Sequence, residues 1–255
     1  LQFKHIYIAE HAVAAIELCA SEKFDLIICS FDLTKRQNGY QLYEELKSKN
    51  LIKNTTAFIF VSAETSGELV HSVLELQPDD FLVKPFSIKE LKTRLTRVLK
   101  RKSALKQIFT LIDDGNDSKA VKFIDKELDN NDNTYSPIML KLKGEALLRL
   151  KRVDEAKTFY KSALSLQKFA WAKIGLVEAL IANKEHVLAQ RMLKTMLERS
   201  ETRLVALDLL GRLEMQLNKF ENAQTFLQQA SNMAPRNIER QKSLGRVASI
   251  NHDYE

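Results

Sequence analysis

Ala120, Ala156, Ala189 and Ala223 stand 36, 33 and 34 residues apart. A small residue returning at that interval marks where two helices cross, so the second half of the chain is committed to a one-dimensional stack of helix pairs. No convincing strand pattern breaks the series from about residue 104 onward. Turn formers are scarce, with 7 Gly and 4 Pro in 255 residues, which favours long helices over an all-β design.

The clearest copies run Leu140, Gly144, Leu147, Ala156, Tyr160, Ala163, and then Leu207, Leu210, Gly211, Ala223, Leu227, Ala230, Pro235. These resemble the tetratricopeptide repeat consensus, small residues falling where helices cross and large ones where they pack. A copy from Ala170 to Arg203 keeps Leu176, Leu180 and Ala189 but has Val177 where Gly or Ala is usual and Met196 where Ala is usual. The copy before Pro137 is weaker and is a candidate docking turn between the two halves. After Pro235 another first helix begins with Leu244 and Gly245, and the sequence ends at Asn251–Glu255 where its partner would start. An unpaired repeat helix leaves an apolar face uncovered, so further repeats or a cap are expected beyond Glu255. The resemblance implies a concave, peptide-binding groove lined by the first helices. In the family register Lys141, Glu145, Arg149, Trp171, Ile174, Glu178, Asp208 and Arg212 point into it. Trp171, the only tryptophan, suits an anchor for a partner side chain and equally suits packing against the previous repeat.

The first half alternates. Residues 4–8 read as a short strand, Ala12–Ala20 as a helix, Asp25–Phe31 as a buried strand through Leu26-Ile27-Ile28-Cys29, and Gly39–Leu51 as a helix. Ala57–Ser62 is a further strand, Glu64–Leu76 a helix, Phe81–Val83 the last strand, and Ser87–Lys100 the last helix, with Ser87 and Glu90 spaced for a capping pair. Such alternation implies a parallel sheet covered on both faces, with ligand chemistry at the carboxyl ends of the strands. Those ends carry Ser30, Ser62 and Lys84. Pro85 stops the last strand, because it lacks the ladder N–H, and makes the Lys84–Pro85 bond a candidate for the cis form.

The sequence Phe60-Val61-Ser62-Ala63 before one helix and Asp79-Asp80-Phe81-Leu82-Val83-Lys84-Pro85-Phe86 before the next resembles the receiver domain of bacterial response regulators, over residues 1 to about 101. The resemblance implies that the Ser62 hydroxyl and the Lys84 amine hold a phosphoryl group on an aspartate, and that the Phe81 ring reports the switch. Two departures count against this. Ser30 occupies the phosphoacceptor position, and a serine hydroxyl without a base is a poor nucleophile that brings no charge to Mg²⁺. Asp32 is the alternative phosphoacceptor, although the apolar strand pattern ends before it. The family's first strand and helix, which bear the acidic Mg²⁺ pair, have no counterpart ahead of Leu1. The natural chain is therefore expected to begin upstream, or another segment to fill the gap. The fold class expected is a flavodoxin-like α/β receiver without its first strand and helix over residues 1–101, followed by an all-α tetratricopeptide solenoid over residues 102–255.

Net charge is +6, with the densest basic run at Lys89, Lys92, Arg94, Arg97, Lys100, Arg101, Lys102 and Lys106. No interleaved aromatics accompany it, so a solvated helix face is preferred to nucleic-acid binding. Cys19 and Cys29 lack metal-ligand spacing, and His5, His11, His71, His186 and His252 form no i,i+4 pair. Neither a phosphate-cradling glycine loop nor a Gly-x-Ser-x-Gly elbow occurs, and the doublets Asp79-Asp80 and Asp113-Asp114 suit turns and caps better than acid–base chemistry. No apolar run reaches membrane-span length.

The expectation is a non-enzymatic, cytoplasmic signalling adaptor: a receiver-like domain not switched by phosphorylation, joined to a repeat scaffold whose groove binds a protein. Mg²⁺ would be a cofactor only if upstream acids restored its site. Other candidate partners are a histidine kinase or another protein on the receiver face, and a second copy through the last receiver strand and helix. The rivals are a phosphorylation-driven regulator using Asp32 and a basic nucleic-acid-binding protein.

Overall fold

The computed structural model describes residues 3–33, 38–64, 66–129, 134–167 and 169–251. The chain forms two compact units, Leu1–Gly115 and Asn116–Glu255.

In the first unit β1 (Leu26–Ser30), β2 (Ala57–Ser62) and β3 (Asp80–Val83) form a parallel sheet in that order. Parallel neighbours require crossovers, supplied here by α2 (Gly39–Ser48) and α3 (Gly67–Leu76); α1 (Ala12–Ser21) precedes the sheet, and α4 (Ile88–Ala104) and α5 (Lys106–Asp113) follow it. Central β2 is buried at all six positions, as its unbroken apolar run requires. Its residues alternate between two cores. Phe58 and Phe60 pack with Phe31, Tyr43 and Leu46, whereas Ala57, Ile59 and Val61 pack with Leu82, Leu95 and Val98. Phe58 meets Tyr43 at 4.6 Å and Phe60 at 5.0 Å, ring edge against ring face.

Residues 4–8, expected as a strand, are not one. Among the described residues they pair with no strand and β1 is an edge of the sheet, and Ile6 and Ile8 are 77% and 85% exposed. An extended segment earns its apolar alternation only beside a hydrogen-bonded neighbour, and here the Tyr7 ring against Phe24, at 5.5 Å, is its attachment to the core. Helix starts follow their caps. Asn38 and Gln41 make a reciprocal capping box at α2, and the Ser66 and Ser87 hydroxyls accept from Leu69 N and Glu90 N at α3 and α4.

Helix α4 runs past Lys100 to Ala104 because its last turns are tied to the acidic doublet that opens β3. Asp80 binds Arg94 and Arg97, each at 2.8 Å, and Asp79 binds Arg101 and Lys102, each at 2.9 Å. Phe58 N also donates to Asp79, Lys102 donates to Asn54 O, and Asn54 donates through N and Nδ2 to Asp113 of α5. Lys102 lies 4.9 Å over the Phe109 ring. Burial pulls the Lys102 pKa down, and Asp79 opposes that shift. Four members of the basic run are thus braces between β3, α4 and α5.

The second unit comprises α6 (Asp117–Asp129), α7 (Ser136–Arg149), α8 (Val153–Leu166), α9 (Ala170–Ala182), α10 (His186–Met196), α11 (Ser200–Gln216), α12 (Phe220–Met233) and α13 (Ile238–Ile250). Ala120, Ala156, Ala189 and Ala223 are each fully buried. Five residues ahead of these alanines, Gly115, Lys151, Lys184 and Asn218 adopt left-handed backbone, with φ of 71°, 56°, 59° and 57°. At the last three the same closure recurs. Lys151 N donates to Leu148 O and Arg152 N to Leu147 O, and the pattern repeats at Lys184/Glu185 and Asn218/Lys219. Helices α7, α9 and α11 therefore end in the same tight turn, from which the second helix of each pair starts.

Two outcomes follow. Asp79→Ala strands Arg101 and Lys102 without their carboxylate and is expected to destabilise the first unit by up to about 3 kcal/mol in urea unfolding, whereas exposed Lys89→Ala changes it by less than about 0.5 kcal/mol. Lys184→Gly relieves a left-handed lysine and is expected to stabilise the second unit by up to about 1 kcal/mol.

Candidate functional site

The three strand ends bring some of the expected residues together and leave others apart. Ser30 and Ser62 end adjacent strands. The Ser30 hydroxyl donates to the Asp32 carbonyl at 3.0 Å, and the Ser62 hydroxyl donates to Asp32 Oδ2 at 2.9 Å while accepting from Glu64 N at 3.0 Å. Ser62 is buried and Ser30 half-buried, with Asp32 exposed above them. Lys84 follows β3, its N–H donating to Ser62 O, but its side chain is exposed and makes no hydrogen bond or ion pair among the described residues. The Lys84–Pro85 bond is cis. Phe81 lies in β3 opposite Phe60, half-buried against the aromatic core.

Mg²⁺ needs oxygen ligands from carboxylates in near-octahedral array. The donors hydrogen-bonded here, one carboxylate and two hydroxyls, do not amount to such a site. Among the described residues no group of three or more His, Cys, Asp or Glu is placed to hold a metal. His252 and the side chain of His71 lie outside the description. Cys29 is buried, which pushes its thiol up to about 12 and keeps it protonated at neutral pH.

In the second unit α9 touches both α7 and α11, the three first helices that carry the residues expected in the groove. Glu178 is the electrostatic centre. Burial raises its pKa, Arg212 opposes this, and Glu145 adds to it. Lys141 reaches Glu145 at 3.8 Å along α7. Arg149 is engaged by Asp117 of α6 at 2.7 Å, and Asp208 accepts from Nε and Nη2 of Arg240 in α13, at 2.7 and 2.5 Å. Trp171 is half-buried, stacked on Phe169 at 5.2 Å and edge-on to Tyr160 at 6.2 Å, while Ile174 packs on the core beside it.

Tyr160, which the register treats only as a packing residue, organises this face. Its ring fills a slot between α7 and α9 whose walls are glycines. A Cβ on Gly144 would lie 2.6 Å from the ring, and one on Gly175 would lie 2.1 Å from it. Burial, followed by the charges of Glu145 and Glu178, raises the pKa of its hydroxyl. Val177, standing where Gly or Ala is usual, is fully buried in the same core as Leu193, sixteen residues on. Tyr160 holds the matching place after Gly144, and Leu227, which closes on Gly211, holds it in the last full copy. The place sixteen residues on is thus Leu after both Gly211 and Val177, and Tyr only after Gly144.

The profile of the response regulator receiver domain matches residues 1–96, and that of the tetratricopeptide repeat matches residues 142–169 and 205–237. The chain carries a receiver domain followed by tetratricopeptide repeats. Among curated proteins, the transcriptional regulatory protein CiaR of Streptococcus pneumoniae is 37% identical over 78 residues, 31% of this chain and 33% of CiaR. The response regulator MprA of a Mycobacterium species is 27% identical over 124 residues, 49% of each chain. The chain thus spans a third to a half of the length of these relatives. Among solved structures, MamA from Desulfovibrio magneticus RS-1 is similar over 58% of this chain and 83% of that one, at 20% identity and a TM-score of 0.47. No helix among the described residues is long and apolar enough to cross a membrane.

The receiver domain therefore has Ser30 at the end of its β1, and the repeat face keeps a carboxylate under strain from burial. The second feature is testable. A raised pKa in the folded state means that Glu178 holds a proton more tightly folded than unfolded, so its contribution to stability is present below the ordinary carboxylate range and is lost as pH rises through the folded value. Glu178→Gln is expected to raise the unfolding temperature at pH 7, with the gain vanishing below about pH 4. Gly175→Ala is expected to destabilise the repeats by about 1–3 kcal/mol through overpacking against Tyr160, less up to about 1 kcal/mol returned by helix propensity.

Proposed function

We propose that this protein is a cytoplasmic, non-enzymatic signalling adaptor in which the receiver domain is not switched by phosphoryl transfer and the repeat groove binds another protein. The observation that carries the reading is Ser30. At the strand end where phosphoryl transfer needs a charged nucleophile beside Mg²⁺, the chain presents a neutral hydroxyl already donating to the Asp32 carbonyl. Glu178 supports the binding half, since a carboxylate kept on a helical face at a cost in stability is typical of a site retained for recognition. Arg212 and Trp171 beside it offer a charged contact and a half-buried ring. The partner is a protein segment laid along α7, α9 and α11; a kinase or second copy on the receiver face is the further candidate.

One rival has an observation in its favour. The Asp32 carboxylate stands within hydrogen-bond distance of Ser62, where a phosphoaspartate would also need a hydroxyl contact. Intact mass spectrometry of the whole chain after incubation with acetyl phosphate and Mg²⁺ separates the two. The adaptor reading expects no gain of mass, and a phosphoryl adduct lost in Asp32→Asn would replace it with the phosphorylation-driven regulator. The nucleic-acid reading is weakened, because Arg94, Arg97, Arg101 and Lys102 are engaged by Asp79 and Asp80.

A further inference from the structure

We propose that the Asp32 carboxylate is a permanent internal ligand of the strand-end site, holding the Ser62 hydroxyl and closing the site to an anion from outside. This deepens the adaptor reading and rests on it. Ser62 is 1% exposed, and a serine hydroxyl has one proton to give. That proton goes to Asp32 Oδ2, and the oxygen accepts from Glu64 N. Nothing remains on the donor side for a second acceptor.

The carboxylate is delivered by a stretch that is itself held. Phe31 N donates to Val61 O and Gly39 N donates to Phe31 O, each at 2.8 Å, and the Ser30 hydroxyl donates to the Asp32 carbonyl. The Phe31 ring is fully buried, edge-on to Phe60 at 5.4 Å. Gly39 approaches so closely that a Cβ there would lie 2.5 Å from Ser30 O, so the start of α2 is seated directly against the end of β1.

A hydrogen bond from a buried hydroxyl to a carboxylate is charge-assisted and roughly twice as strong as a neutral one. Asp32 is also tethered two residues from the end of β1, so it competes as an intramolecular ligand rather than at bulk concentration. An incoming phosphoryl group would have to displace it and bring like charge against it. Lys84, whose exposed amine Asp32 does not use, is left facing solvent. The strand-end site is therefore locked by its own sequence: the contact that an outside anion would make with Ser62 is already made, with or without a signal.

The test is amide hydrogen exchange on the whole chain, with acetyl phosphate and Mg²⁺ treatment run in parallel. Asp32→Ala and Ser62→Ala are each expected to speed exchange of the Phe31 and Gly39 amides about tenfold, the factor for loss of one hydrogen bond to a charged group. The double variant should be no faster than Ser62→Ala alone, because Asp32→Ala then has no bond left to remove. Asp32→Asn, which keeps an acceptor oxygen without the charge, should fall between wild type and Asp32→Ala. Unchanged exchange in Asp32→Ala, or single effects that multiply in the double variant, overturns the lock while leaving the adaptor reading intact. A phosphoryl adduct on the wild-type chain overturns both.

Discussion

Parallel, in-register pairing of β1 with β2 and of β2 with β3 is the constraint on which the first unit depends. Parallel strands cannot be joined by tight hairpins, so helices must carry the chain back, and every strand then ends on the same side. Ile28 stands opposite Ile59 and Ser30 opposite Val61, which brings the Ser30 and Ser62 hydroxyls into one neighbourhood. A slip of one residue would turn Phe58 and Phe60 out of their aromatic core and move Ser62 away from Asp32. Packing and chemistry are therefore set by the same ladder. At the opposite end of the sheet the Asp79-Asp80 doublet fastens α4, and Asn54 passes the attachment to α5 through Asp113.

The repeats obey a different constraint, the closeness of neighbouring helices. Burying a tyrosine between two helices gains several kcal/mol of apolar contact but requires that both backbones come within reach, which Gly144 and Gly175 permit. The ring's hydroxyl end then sits near Glu145 and Glu178, so the packing that fixes helix spacing also sets the charge balance of the groove face. Conversely, Asp208 is committed to Arg240, whose side chain is almost fully buried, and Arg149 to Asp117. These charges are structural first, engaged within the repeats by Arg240 and Asp117.

Much of this was legible in the sequence because it follows from local pattern. The unbroken Ala57–Ser62 run announced a strand covered on both faces, and the recurrent alanines announced the helix crossings. Residues 4–8 misled because their apolar character shows only that a strand is possible, while pairing depends on a neighbour that sequence does not display. Gly175 was hidden by the repeat register, which expects the small residue at Val177; it faces Tyr160 of the preceding helix rather than a partner in its own copy. The braces at Asp79 and Asp80 had a signal in Arg94, Arg97 and Arg101, three to four residues apart on one helical face behind an acidic doublet. The hydrogen bond from Ser62 to Asp32 joins residues thirty apart, and only the folded sheet brings them together.

The most direct measurement is a crystal structure of the whole chain grown with beryllofluoride and Mg²⁺, since beryllofluoride takes the place of a phosphoryl group on a competent aspartate. The account predicts a bare Asp32 carboxylate still hydrogen-bonded to the Ser62 hydroxyl. A beryllofluoride group on Asp32, with Ser62 and Lys84 turned onto its fluorines, would contradict it.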